Sequence, residues 1–179
     1  MKKKLILSLI CAMMVSVAQA QLKLPAKVKW YTIEQAIEMQ TKEPRKIMID
    51  VYTDWCGWCK KMDAETFDHP VIAEYLNTNF YPVKFNAESK EPIKFAGKTF
   101  VNEGQGGRSS HQFAIALLQG QMSYPSIAYL SEKLEPIAAI PGYYNAKDFE
   151  PLITFIEQEK YKAGTNFEDF KKTFVGKVK

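Results

Sequence analysis

The feature that most constrains this chain is an apolar run that ends in a cysteine pair. Ile47, Met48, Ile49, Asp50, Val51 and Tyr52 lead, through Thr53 and Asp54, into Trp55-Cys56-Gly57-Trp58-Cys59-Lys60. A stretch apolar at nearly every position over 46–53 is the pattern of a strand buried on both faces, which needs covering layers above and below. A short turn that then feeds Cys56 into a helix start points unpaired backbone N–H groups at its sulfur. Such a position favours thiolate over thiol, moving a thiol pKa from about 8.5 into the broad range of roughly 3.5–7.5. Cys59, one helical turn later, is close enough to close a disulfide. A static disulfide, or half of a metal site, is the other use of such a pair.

Cysteine usage bears on that choice. The third cysteine, Cys11, falls in a segment with the layout of a secretory signal: basic Lys2, Lys3 and Lys4, an apolar stretch over 5–17, and the small-residue site Ala18-Gln19-Ala20. Residues 1–20 are therefore expected to be removed by cleavage after Ala20, placing the protein in the periplasm or otherwise outside the cytoplasm. A retained N-terminal anchor, or lipidation at Cys11, is the alternative. The apolar run falls short of the roughly 18 residues of a spanning helix, and Ile10 is bulky for a lipidation site. After cleavage Cys56 and Cys59 stand alone. Exported proteins that depend on covalent staples carry several pairs closing long loops, whereas this pair closes almost none, so redox chemistry is the better reason for it. Cleavage also lowers Lys plus Arg from 24 to 21 against 20 Asp plus Glu, a near-neutral balance that argues against nucleic-acid binding by bulk charge.

At 179 residues the chain suits one domain. Residues 21–29 form a polar lead with Pro25, and the domain is expected over 30–162. Thr32 to Gln35 resembles a capped helix start, with Ile33, Ala36, Ile37 and Met39 on one face and Pro44 beyond its end. After the cysteine pair a helix should run toward Thr66. A second is expected with Asp68 as its cap, Pro70 in its first turn, and Val71, Ile72, Tyr75 and Leu76 as its buried stripe. Residues 80–86 then form a second strand, completing a right-handed parallel crossover.

Residues 88–121 are the least regular stretch. They hold a small hairpin over 93–101, the loop Gly104-Gln105-Gly106-Gly107, and a helix capped by Ser109 or Ser110 and closed by Gly120. Past Tyr124-Pro125, strands over 126–130 and 136–140 are joined by a tight turn and should be antiparallel. A closing helix is expected over 145–161, its ordered start near Asp148 because of Pro151. Phe167, Phe170 and Phe174 give the extension 163–179 a helical packing face.

This order of elements resembles the thioredoxin superfamily, and single residues match that family's pattern. Asp50 stands where thioredoxins keep a buried acid, Trp55 precedes the first cysteine, Lys60 follows the second, and Lys84 matches a lysine of the next strand. Tyr124-Pro125-Ser126 matches the cis-proline element, and Gly142 the glycine before the last helix. The resemblance covers about residues 30–161. It implies an α/β thioredoxin fold: a central mixed β-sheet flanked by helices, with 88–121 inserted before the cis-proline strand. The sequence departs from thioredoxins in Gly57-Trp58 between the cysteines and in Tyr124 before the proline. The Trp-Cys-Gly-Trp-Cys-Lys form is similar to exported thioredoxin-like proteins of bacteria.

The resemblance implies thiol-disulfide exchange without a cofactor or metal. Cys56 attacks, Cys59 resolves the mixed disulfide, and Asp50, its pKa raised by an apolar strand, handles the Cys59 proton. Lys84 supports Asp50, while Trp55, Gly57, Trp58, Tyr124 and Pro125 form the substrate-facing surface. Reduction of protein or small-molecule disulfides is the preferred direction, and in an oxidising compartment it calls for a membrane electron donor of the DsbD type. Oxidation or isomerisation of envelope disulfides are the other directions. A different class remains open, a module that binds Cu(I) through the two thiolates. His69 and His111 fit no zinc-ligand spacing and suit surface or capping positions.

Overall fold

A computed structural model describes residues 26–179. The expected signal segment and its cleavage site lie outside the described residues. Strand β1 (Lys46–Tyr52) runs through the middle, with six of its seven residues buried. It pairs in parallel with β2 (Phe80–Asn86) and antiparallel with β5 (Ser126–Leu130), and β6 (Pro136–Pro141) pairs antiparallel with β5, giving the order β2-β1-β5-β6. The parallel pair needs a crossover, which is built from α2 (Gly57–Met62), a π-helical turn (Asp63–Phe67) and α3 (Pro70–Asn79). This is the thioredoxin fold, a mixed sheet between helical layers.

Side-chain alternation along β1 divides the interior. Ile47, Ile49 and Val51 join Tyr81, Val83 and Phe85 of β2 against α1 (Ile33–Lys42) and the helix α4 (Gln112–Leu117). Met48 faces the other way, into a cluster with Met62, Ile72 and Leu76 and with Phe149, Leu152 and Ile153 of the closing helix α5 (Ala146–Glu157). Asp50 shares the parity of Met48 and is paired in register with Lys84. Strand periodicity therefore sets an acid and a lysine side by side on the sheet face that carries the cysteine helix.

Local signals hold where they depend on near neighbours. Thr32 and Gln35 form a reciprocal capping box at the start of α1. The hairpin of β3 (Ile93–Phe95) and β4 (Lys98–Phe100) turns at Ala96 and Gly97, with φ of 49° and 75°. Two successive positive φ angles are the mirror-image turn suited to tight hairpins. Other starts differ from expectation. Position 69, not Asp68, is the cap residue of α3, and the Asp68 carboxylate reaches Lys27 instead. His111, not Ser109 or Ser110, caps α4: its Nδ1 accepts the Phe113 N–H at 3.0 Å, while the Ser109 hydroxyl bonds the Gly104 and Gly106 carbonyls. The helix expected to continue smoothly from the cysteines widens into the π-helical turn at Asp63.

The closing helix begins at Ala146 under an Asn145 cap, ahead of the expected start, and ends at Glu157 rather than near residue 161. Pro151 lies inside it. An interior proline costs about 3 kcal/mol. Full burial of Phe149, Leu152, Ile153 and Ile156, each contributing roughly 1.5–3 kcal/mol, outweighs that. Beyond it, α6 (Phe167–Thr173) packs Phe167 and Phe170 onto Phe155 at centroid distances of 5.3 and 5.4 Å. The buried Glu150 of α5 accepts the backbone N–H groups of Lys177 and Val178 at 2.7 and 2.9 Å, which ties the chain past α6 back onto the domain.

Candidate active site

The turn after β1 delivers Cys56 to the cap position of α2, with a Cα–Cα distance of 5.3 Å across a closed Cys56–Cys59 disulfide. The Cys59 backbone N–H donates to Cys56 Sγ at 3.0 Å. That donor belongs to the first turn of the helix and has no intrahelical acceptor, so it is available to a developing negative charge on sulfur. Both cysteines are buried, whereas Trp55 and Trp58 on either side of Cys56 are 51% and 57% exposed. The sulfurs are thus recessed between two projecting rings.

On the sheet face that carries the cysteine helix lies a chain of charges. Asp50, 1% exposed, has Oδ2 at 2.9 Å from Lys84 Nζ, and its Oδ1 has no hydrogen-bond partner. Burial pushes the Asp50 carboxyl up to about 6, against the pull of Lys84. Burial also works against the Lys84 charge, but the two carboxylates at its head outweigh it and hold it above the ordinary lysine value. The second of these is Asp63, which takes a short hydrogen bond from Lys84 Nζ and is partly open to solvent. The rings of Trp30, Tyr52 and Phe67 stand 5.0, 5.1 and 5.6 Å from the same ammonium. Buried acid, half-buried lysine and outer acid form a graded path from the core to the surface.

Across from Trp55 the Tyr124–Pro125 peptide bond is cis, and the Gly142 N–H, at a φ of 104°, bonds the Pro125 carbonyl at 2.8 Å. Tyr124 stands edge-on to Trp55 at 6.1 Å. Trp58 lies against Tyr143 at 5.3 Å, with Lys61 Nζ 5.0 Å from the Trp58 ring. The fold therefore gathers Cys56, Cys59, Trp55, Gly57, Trp58, Tyr124 and Pro125 about one surface, with Asp50 and Lys84 in the layer below.

Three residues of the site went unnoticed in the sequence. Asp63 had a signal, since it lies four residues after Cys59 along one helical face. Glu88 and Arg108 had none. Glu88 accepts the Trp55 indole N–H at 3.0 Å, and the Arg108 guanidinium lies 5.1 Å from the Trp55 ring, both approaching from the insertion. His111 is fully buried at the base of that insertion, its two ring nitrogens facing the Phe113 N–H and the Glu91 carbonyl. Among the described residues no group of three or more His, Cys, Asp or Glu could hold a metal ion.

A mixed sheet with a cysteine pair at a strand-to-helix turn defines the thioredoxin class. The family model described as Thioredoxin-like domain matches residues 33–157, and the chain belongs to that family. It is similar to an uncharacterized protein of Caenorhabditis elegans, B0495.5, 25% identical over 151 residues that cover 79% of this chain and 18% of the relative. It is also similar to the thiol:disulfide interchange protein DsbD of Pectobacterium atrosepticum, 39% identical over 36 residues, 20% of this chain and 6% of that protein. The chain thus spans less than a fifth of either relative's length. Among solved structures, one described as DsbH Oxidoreductase superposes with a TM-score of 0.52 at 14% identity, covering 83% of this chain and 94% of that one.

Proposed function

We propose that this protein is an exported thiol-disulfide oxidoreductase that reduces disulfides through the Cys56–Cys59 pair. The observation that carries this reading is the Cys59 N–H aimed at Cys56 Sγ in a recess, with the partner-free oxygen of Asp50 in the buried layer below. In the reduced protein the Cys56 thiolate attacks one sulfur of a substrate disulfide. A mixed disulfide forms, and the displaced substrate sulfur leaves as a thiolate that takes a proton from water. The Cys59 thiol then passes its proton to the Asp50 carboxylate, and its sulfur attacks Cys56 Sγ, releasing the second substrate sulfur as a thiolate that also takes a proton from water. The substrate gains two electrons and two protons, and the protein is left with its internal disulfide. An acid titrating near 6 suits proton acceptance close to neutrality. Lys84 and the more exposed Asp63 link that carboxyl to solvent.

Return to the dithiol is assigned to a membrane electron donor of the DsbD type, in keeping with export after cleavage at Ala20. Among the described residues no helix is long and apolar enough to cross a membrane. The test is the reduction potential of the pair, followed by tryptophan fluorescence and joined to trapping with C59S. A potential near roughly −270 mV, with substrate proteins held on Cys56, supports a reductase. A potential near roughly −120 mV would assign the opposite direction, disulfide formation.

A further inference from the structure

The 88–121 insertion reaches the active surface, and its chemistry there is asymmetric. It leaves and rejoins the sheet at one point beside the cysteine turn: the Ala87 N–H bonds the Tyr52 carbonyl at 2.8 Å and the His111 N–H bonds the Ala87 carbonyl at 2.7 Å. Inside that closure Asn102 Nδ2 donates to the carbonyls of Glu88, Ser89 and Ser109, and Lys90 Nζ binds Asn102, the Gly104 carbonyl and Ser109. The insertion is a stitched unit rather than a trailing loop. Two of its side chains grip Trp55, with Glu88 on the indole N–H and Arg108 over the ring.

The charges on the two sides of Cys56 are committed differently. On the Trp58 side, Lys61 lies 3.9 Å from Glu65, and Glu65 accepts the Tyr143 hydroxyl at 2.5 Å. On the Trp55 side, both Glu88 oxygens face the indole N–H. Arg108 is exposed and its guanidinium lies over the ring, and no hydrogen bond or ion pair from a described residue engages it. A guanidinium held over an aromatic ring with its N–H groups unengaged is suited to bidentate capture of a carboxylate.

Resting on the oxidoreductase reading, we propose that the insertion is the specificity wall of the site. Arg108, positioned on Trp55, whose ring in turn meets Tyr124, selects disulfides whose cysteine is flanked by an acidic residue. The substrate is then a protein or peptide segment that passes Tyr124 and Trp55 and places an Asp or Glu carboxylate against Arg108. Glu88 is a positioning residue, fixing the indole on which the guanidinium lies.

The test uses two synthetic peptides that differ only in having Asp or Lys next to a disulfide-bonded cysteine, together with hydroxyethyl disulfide. Wild type is expected to show a kcat/KM about five- to tenfold higher for the Asp peptide, arising mainly in KM. R108E should reverse the order of the two peptides, and R108K should keep it, with the reduction potential of the pair unchanged in both. Equal loss on both peptides in R108E, or no preference in wild type, overturns the specificity proposal and leaves the oxidoreductase reading standing. Failure of the reduced wild-type protein to act on either peptide or on hydroxyethyl disulfide overturns both.

Discussion

In the central sheet backbone is held by backbone: β1 is laddered on both sides, and its side chains from Ile47 to Val51, Asp50 excepted, are free to fill two apolar layers. In the 88–121 insertion the strand ladder is the three-residue pairing of β3 and β4, α4 holds its own backbone, and much of the loop between them is held by side chains of Asn102, Lys90, Ser109 and His111. The first arrangement is stabilised by removal of apolar area from water and is cooperative. The second anchors Ile93, Phe113 and Leu118 in that core, but its outer loop relies on separate hydrogen bonds, each contributing about 1 kcal/mol, which can be altered piece by piece. The frame that carries the cysteines is thus the rigid part, and the surface beside them is the adjustable part.

The largest expected effect breaks the sheet side. Phe149→Ala removes a fully buried ring and should cost about 3–5 kcal/mol in a urea titration, with one global transition. A loss below about 1 kcal/mol would mean that this layer is not a cooperative core.

Next comes the polar exception in the sheet. Asp50 titrates near 6 in the folded protein and near 3.8 when free, so the folded state holds the extra proton between those values. The stabilisation is therefore fully present below about 4 and lost as pH rises through about 6. Asp50→Asn should leave stability nearly unchanged at pH 4 and raise it at pH 8, by on the order of 2–3 kcal/mol, since Asp63 still pairs Lys84. Equal shifts at both pH values would refute a charged, buried Asp50. In a C59S-independent exchange assay the same substitution should slow resolution of the mixed disulfide.

On the insertion side effects shrink. Asn102→Ala leaves three carbonyls without their donor and should cost about 1–2 kcal/mol, read as faster amide exchange confined to residues 88–111. Matching acceleration in β1 would show that the two regions unfold together after all. The smallest effect is expected from acid. Burial holds the His111 pKa below the ordinary histidine value, with the Glu91 carbonyl pulling the other way. The folded state then binds fewer protons than the unfolded one, so this contribution is complete above about 6.5 and fades as pH falls below it. The Phe113 amide should lose protection between pH 7 and pH 5, after correction for intrinsic exchange, and should not do so in His111→Asn.

The same division explains what was legible beforehand. Strands β2 and β5, the Thr32 capping box and the Ala96-Gly97 turn rest on residues within a few positions of each other, and so did the thioredoxin landmarks along the chain. Asp50 stood out because a carboxylate in an apolar run demands a partner, and its registered neighbour Lys84 supplies one. His111 displaced Ser109 as a cap because the serine hydroxyl was already used within the loop, a competition visible only in three dimensions. Pro151 pointed to a late helix start because local propensity says nothing of the apolar contacts that carry α5 across it. Glu88 and Arg108 come to Trp55 through a fold-back of the insertion for which no spacing rule exists.

The clamp between Glu150 and the backbone of Lys177 and Val178 also bears on how the domain is completed. Translation delivers the helix that carries this acid 27 residues ahead of the first amide that satisfies it. Until then the nascent domain must either keep that carboxylate wet or bury it without a donor. Closure of α5 over α3 is therefore satisfied only when residues 177 and 178 are in place, so the layer on which the cysteine helix packs is sealed by its own tail.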